Sequence, residues 1–380
     1  MSISIKKKII FVTGTRADYG KLKSIILAVQ KNKKFETHVF ITGMHNLNIY
    51  GNTHEHLQKD KISNRYRFKN QNINEAMDKI TANTINGFSK YVKKINPDLI
   101  VIHGDRVEPL ACAIVGCLNN ILVAHIEGGE VSGTVDEILR HSISKLSHIH
   151  FVSNSKAKSR LIQLGELKKN IFIIGSPDID LMLSKLPSVK QLKKKYEIEY
   201  NKFAIMLMHP VTTSPDKIEQ NATILIDCLI KSKFNYVILF PNNDYGSSYI
   251  IKTFQKLKNN SKFKIFSSMR FEFFLTLLKN AHFIIGNSSS GVKEAPYYGV
   301  PTINLGSRQN NRSKLKSIKN SEFNKLKILN LINHFKKKKI RLKTFMEIGK
   351  GNSNQKFLNI ILKKKFWEIN PQKQFIDYKK

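Results

Sequence analysis

Short β-branched runs alternate with amphipathic segments along nearly the whole of this 380-residue chain. In the first half the runs are KKIIFVTGT, THVFITG, DLIVIHGD, ILVAHIEGG, HIHFVSN and IFIIGSP, and in the second they are KFAIMLMHP, NYVILFPNN, FKIFSS, HFIIGNSSS and PTINLGS. Between them lie helical stretches such as DYGKLKSIILAVQKN, NEAMDKITANTINGFSKYVKKI and VDEILRHSISKLS. This is the pattern of parallel βαβ units and of an α/β fold. The proline-bearing segment GSPDIDLMLSKLPSVK, around residues 176 to 190, separates the two strand series. We therefore expect two Rossmann-like parallel-sheet domains, residues 1–180 and 181–354, with an interdomain cleft and a basic segment 355–380 behind them.

That length is enough for two buried cores and excludes a single small binding module. No apolar run reaches the roughly 18 residues a membrane span needs. The N-terminal stretch runs straight into a strand without a signal-peptide core, so a cytoplasmic protein is expected. Cys112, Cys117 and Cys228 form no CxxC pair and have no histidine at zinc spacing, which reads as buried thiols rather than a metal site. The net charge of +36 by itself points to nucleic acid or an anionic membrane. However, the lysines are scattered over helix surfaces or gathered near the C-terminus, without any accompanying nucleic-acid motif. Solvated lysine faces are the plainer reading, with no specific nucleic-acid partner.

In open α/β sheets the ligand lies outside the carboxyl ends of the strands. The unusual polar clusters here fall at such ends: TGTRADYG, HGDR, HIEGGE, MHPVTT, GNSSSG and GSRQNNR. In GNSSSGVKEAP, Gly286, Ser288 and Ser289 lead towards a helix whose N–H groups suit a diphosphate, and Glu294 can accept both hydroxyls of a ribose. The alternative is that Ser288 to Ser290 only cap a helix and Glu294 lies on its surface. Arg16 and Arg308 each follow a strand and carry a fixed, permanently charged fork suited to phosphate oxygens. The absence of GxGxxG argues against a dinucleotide cofactor.

Carboxylates are scarce in this chain, yet Asp105, Glu127, Glu130, Asp136 and Glu137 gather near strand ends. Asp105 and Glu127 end neighbouring strands, which would bring their carboxylates close together for proton transfer. Glycoside cleavage and Mg2+ binding fit such a pair as well. Glu130 and Glu137 fit equally as favourable charges at a helix N-terminus. His209 ends a second-domain strand, where it can contact a phosphate or act as an acid. His103, His125 and His141 fit a functional or a structural role equally well.

The stretches TGTRADYGKL, PDLIVIHGDRVEPLA, HIEGGEVSGTVDEILRHSISKLSHIHFVSN, IIGSPDID, MHPVTT, FPNND, IIGNSSSGVKEAP and GSRQNNR, in order over residues 5 to 312, resemble the hydrolysing UDP-N-acetylglucosamine 2-epimerases of bacterial sialic acid synthesis. The resemblance implies a GT-B fold whose final helix returns to the N-terminal domain. It implies conversion of UDP-GlcNAc and water into UDP and N-acetylmannosamine, by anti elimination to 2-acetamidoglucal and then hydration. By matched position, Asp105, Glu127 and Asp136 are the acid/base candidates, and Arg16, Arg106, His209, Ser288, Ser289 and Arg308 would hold the leaving UDP. Glu294 matches the ribose-binding position. No metal or redox cofactor is required, the partner is a UDP-sugar substrate, and a homodimer or homotetramer is expected.

Two alternatives stand beside this reading. One is a sister hydrolysing epimerase for UDP-N,N'-diacetylbacillosamine, in legionaminic acid synthesis, on which the same elimination would work. The other is a non-enzymatic basic protein that binds nucleic acid or a membrane surface, for which salt-dependent binding without UDP release would be the mark.

Overall fold

The computed structural model describes residues 6–342, 349 and 351–377. These form two compact units. One holds the described residues up to Glu130, then Asp136–Ser184, then those after 346; the other holds Val131–Val135 and the described residues from Lys185 up to Leu342.

The first unit contains a seven-stranded sheet in the order β3-β2-β1-β4-β5-β6-β7. Its strands are β1 (Lys7–Thr13), β2 (Phe35–Ile41), β3 (Arg65–Arg67), β4 (Leu99–His103), β5 (Leu122–Ile126), β6 (Ile149–Val152) and β7 (Ile171–Ile173). All pairings are parallel. Helices cover both faces, so β4 and β5 are buried along their whole length, which is why each reads as a largely apolar run, with His103 ending one and His125 set within the other.

The second unit contains a six-stranded sheet in the order β10-β9-β8-β11-β12-β13. It comprises β8 (Ala204–Leu207), β9 (Tyr236–Leu239), β10 (Phe263–Phe266), β11 (Ile284–Gly286), β12 (Thr302–Leu305) and β13 (Ile318–Ser321), again paired in parallel. In both sheets the strand order reverses beside the first strand, between β1 and β4 and between β8 and β11. Such reversals open a crevice at the carboxyl edge of the sheet.

Two strands escape the hydrophobic pattern. β3, Arg-Tyr-Arg, and β13, Ile-Lys-Asn-Ser, are sheet edges with half-exposed, polar sequences. An edge strand needs only one paired neighbour and no apolar run.

The helix Ser353–Ile361 belongs to the first unit. Phe357 and Ile361 are fully buried in the core formed by β1, β6 and the helix Arg16–Gln30. The Phe357 ring lies 4.5 Å from that of Phe151 and 6.2 Å from that of Phe11. Cys112 and Cys228 are buried free thiols, whereas Cys117 is half-buried. Among the described residues no helix is long and apolar enough to cross a membrane, and no group of three or more His, Cys, Asp and Glu is placed to hold a metal ion.

Candidate functional site

In the first unit the turn after β1 is built around Asp18. Its Oδ1 accepts from the Thr13 hydroxyl at 2.6 Å and from the Thr15 amide at 3.0 Å, and its Oδ2 accepts from the Gly14 amide at 2.9 Å. The Thr15 hydroxyl accepts in return from the Asp18 amide, completing a capping box that starts the helix Arg16–Gln30. Arg16 is therefore the first helical residue, a cation at the positive end of the helix dipole, where an arriving anion is favoured. Fully buried His45 lies 2.9 Å from the Thr13 hydroxyl and 2.7 Å from that of Thr53. Burial keeps this imidazole neutral, with its pKa lowered to about 4.

After β4 the chain turns through Gly104 at φ +82, a left-handed conformation that suits glycine. Asp105 forms an ion pair with Arg140, a buried residue of the helix Val135–Leu146. Arg106 Nε lies 3.6 Å from Glu108 Oε2, and Glu108 is fully buried. His125 supports this turn from β5: its Nε2 lies 2.8 Å from the Gly104 carbonyl oxygen and its Nδ1 3.0 Å from the Ser144 hydroxyl. Burial lowers its pKa to about 3, so it remains a neutral strut.

Glu127 follows β5 with φ +67, a conformation rarely adopted by a side-chain-bearing residue and one that concentrates at functional sites. It is buried, with Oε1 accepting from the Ser176 hydroxyl at 2.8 Å and Oε2 lying 3.4 Å from His103 Nε2. The Ser176 hydroxyl is also 3.1 Å from Asp178, which in turn lies 3.1 Å from the Lys21 ammonium. Asp105 and Glu127 thus occupy the ends of adjacent strands, and each has its own counter-group. The electrostatics here come from Arg140 and His103 as well as from the carboxylates. Asp136 lies in the first turn of the Val135–Leu146 helix, the same helix that supplies Arg140. Glu137 pairs with His141 at 3.1 Å and Glu130 accepts from the Ser153 hydroxyl, so both have local structural partners.

In the second unit His209 and Asn287 follow the two strands that flank the reversal, β8 and β11. The Asn287 side chain binds both backbone polar groups of His209, accepting from its N–H at 2.7 Å and donating to its C=O at 2.8 Å. His209 Nδ1 accepts from the Asn242 amide at 3.1 Å, which puts the proton of the neutral ring on Nε2. Arg308 and Gln309 both donate to the Asn287 carbonyl oxygen, at 3.4 and 2.9 Å. Asn287 therefore gathers His209 and Arg308 into one cluster. Gly286 takes φ +134, and a Cβ there would lie 2.1 Å from the Leu207 carbonyl oxygen, so only glycine lets β11 approach β8 this closely.

The segment after Gly286 corrects the sequence reading in one respect. Ser288 caps a single 3-10 turn, Ser289–Gly291, and the α-helix beyond it spans only Glu294–Tyr297. Pro296, tolerated only within a first turn, keeps the helix from starting nearer the serines, and Gly299 at φ +68 follows its end, so no long macrodipole stands behind them. Any anion here is held by local N–H groups and cations. Glu294 is buried at 2% exposure rather than lying on the helix surface. Asn287, Gln309, Arg140, Ser176 and Asp18 were not singled out from the sequence. Uncharged amides and hydroxyls, and charges within helical stretches, carry no distinctive local pattern.

The chain matches the model of the UDP-N-acetylglucosamine 2-epimerase family over residues 27–362. It is 43% identical over 374 residues to UDP-N-acetylglucosamine 2-epimerase of Neisseria meningitidis serogroup B, covering 98% of this chain and 99% of that relative. It is 34% identical over 313 residues to UDP-N,N'-diacetylbacillosamine 2-epimerase (hydrolyzing) of Legionella pneumophila, covering 81% and 83%. The crystal structure of Methanocaldococcus jannaschii UDP-GlcNAc 2-epimerase in complex with UDP-GlcNAc and UDP superposes with a TM-score of 0.78 at 22% identity, covering 93% of this chain and 99% of that one. That likeness concerns the fold, two Rossmann-like parallel-sheet domains of the GT-B type.

Proposed function

Because the chain belongs to the UDP-N-acetylglucosamine 2-epimerase family, we propose that it is an enzyme of the hydrolysing kind, converting UDP-GlcNAc and water into UDP and N-acetylmannosamine. The observation that carries the chemistry is the pair Asp105 and Glu127 at adjacent strand ends, one set against Arg140 and the other against Ser176 and His103.

The reaction needs a proton removed from C2 of the sugar as the C1–O bond breaks and its electrons leave with UDP. The 2-acetamidoglucal so formed takes up water, with hydroxyl at C1 and a proton delivered to the opposite face of C2. Two proton-handling groups serve this better than one. Asp105, Glu127 and Asp136 are the groups we assign to it. Arg140 keeps Asp105 oriented, and Ser176 keeps Glu127 oriented.

UDP is held by the second unit in this reading. Ser288 and Ser289 offer hydroxyl and amide donors to the diphosphate, and Arg308 and His209 offset its charge. Buried Glu294 accepts from the ribose hydroxyls. Arg16 and Arg106 add positive charge for the departing diphosphate. Cytoplasmic location and a homodimer or homotetramer go with this reading and rest on the motif resemblance.

A second reading draws on the Legionella relative, since the elimination involves only C1 and C2 and a sugar altered at C4 and C6 would undergo it too. Proton NMR of the purified protein with each UDP sugar separates the two. The expected result is N-acetylmannosamine released from UDP-GlcNAc; turnover of UDP-N,N'-diacetylbacillosamine alone would replace the first reading with the second.

A further inference from the structure

The C-terminal stretch 370–377 is exposed apart from one side chain, Lys373, which is half-buried. Its ammonium inserts at the C-terminal end of the helix Val135–Leu146. There it donates to the carbonyl oxygens of Lys145 at 2.8 Å and Ser147 at 2.5 Å, with that of Ser144 at 3.5 Å. It also reaches buried Glu166 Oε2 at 2.6 Å. A helix ends with unsatisfied carbonyls and partial negative charge, so a lysine ammonium from a distant part of the chain acts as its cap.

Both oxygens of this carboxylate have further partners. Fully buried His150 lies 3.0 Å from Glu166 Oε2, and Lys145 pairs with Oε1 at 3.2 Å. Burial pushes the Glu166 pKa up, but the hydrogen bonds from His150 and Lys373 outweigh it and hold the carboxyl at about 2. Two residues earlier, the Pro371 carbonyl oxygen meets His148 Nε2 at 2.8 Å. His148 Nδ1 accepts from the Val123 amide of β5 at 3.0 Å, which fixes the tautomer so that Nε2 donates to Pro371.

The tail also lays the Phe375 ring 5.1 Å beneath the Lys145 ammonium and against Gly165, where a Cβ would lie 3.2 Å from that ring, so it bears on the helix end, on the turn that carries Glu166 and on His148. A cavity of about 450 Å³, lined by His148, Asn170, Phe172, Phe366, Gln372 and Lys373, lies beneath it. Among the described tail residues Lys373 makes the most polar contacts with the rest of the unit. Of the elements it reaches, the capped helix carries Asp136 and the Arg140 partner of Asp105, and His148, bonded to Val123, links the tail at one remove to β5, the strand that leads into Glu127.

We propose that Lys373 is a positioning residue for the epimerisation, a C-terminal clamp that fixes the helix bearing Asp136 and Arg140. This rests on the acid/base assignment made above. Lys373→Met keeps the stem and removes the ammonium. It should lower kcat on the order of tenfold, as small misplacements of reacting groups do, while KM and UDP affinity stay within twofold. Amide hydrogen exchange over residues 144–150 should rise, and Lys373→Arg should recover most of the rate. A folded Lys373→Met enzyme with wild-type kcat would overturn the proposal, because a merely structural tail would change melting temperature and leave turnover per folded molecule intact.

Should Lys373→Met fail to fold, Glu166→Gln keeps the shape of the socket without its charge. A roughly threefold fall in kcat supports the clamp, and an unchanged kcat overturns it. Full turnover in Asp105→Asn, Glu127→Gln and Asp136→Asn would remove the underlying assignment whatever Lys373→Met does. Lost turnover in those variants beside wild-type kcat in Lys373→Met would overturn the positioning role alone.

Discussion

Asn287 binds His209 through both of its backbone polar groups, at 2.7 and 2.8 Å, and so ties the end of β11 to the end of β8. Both residues are buried. Asn287→Ala would leave a buried amide and a buried carbonyl without these bonds, a loss of about 2 to 4 kcal/mol for the two. Urea unfolding should show that loss. UDP affinity should fall as well, since Arg308 and Gln309 bond to the backbone of the same residue.

Asp105→Asn should abolish turnover while leaving UDP binding close to wild type. The amide retains an oxygen for Arg140, so the ion pair becomes a weaker hydrogen bond and the melting temperature should fall only modestly. Near wild-type turnover in this variant would withdraw the proton role of Asp105. Arg140→Met should instead reduce both turnover and stability, because it strips the carboxylate of its partner within the protein.

Glu294→Ala tests the ribose contact. Loss of charge-assisted hydrogen bonds to the ribose should weaken UDP binding by about 1 to 3 kcal/mol in calorimetry. Unchanged affinity would assign Glu294 to the interior of its own unit, beside Tyr298, whose phenol is pushed up by burial and then by the neighbouring Tyr297 and Glu294.

Stability should fall in mild acid. His125 and His45 are buried with pKa values lowered to about 3 and about 4 by desolvation. Between those values and the ordinary 6.5, the unfolded chain binds protons that the folded chain does not, so stability is complete above about pH 6.5 and is lost as the pH drops. Urea midpoints measured from pH 7 to pH 4.5 should decline steadily. In His125→Gln, which removes one of the titrating groups, the decline should be shallower.

Much of the fold was legible because parallel strands are buried on both faces and announce themselves as apolar runs. The edge strands β3 and β13 were not, since a half-exposed strand such as Arg-Tyr-Arg needs no such run. At the site, Asp105, Glu127, His209 and Arg308 could be read as candidates because rare charges at strand ends stand out against a lysine-rich background. The groups that orient them could not. Arg140 is one more charge in a helical stretch and Ser176 one more serine near a boundary; only folding brings them to Asp105 and Glu127. The helix expected after Gly286 failed locally: proline at 296 and glycine at 299 leave a four-residue helix, which the apolar pattern of the segment did not reveal.

The most direct test of the central claim follows the atoms of the reaction. UDP-GlcNAc is incubated with the enzyme in D2O containing labelled oxygen, and the first sugar released is analysed by NMR and mass spectrometry before it can epimerise in solution. Elimination followed by hydration requires N-acetylmannosamine with deuterium at C2 and the label on the C1 oxygen, with none of the label in UDP. Release of N-acetylglucosamine, retention of the original C2 hydrogen, or a sugar still joined to UDP would contradict it, and the proton roles of Asp105, Glu127 and Asp136 would then fall.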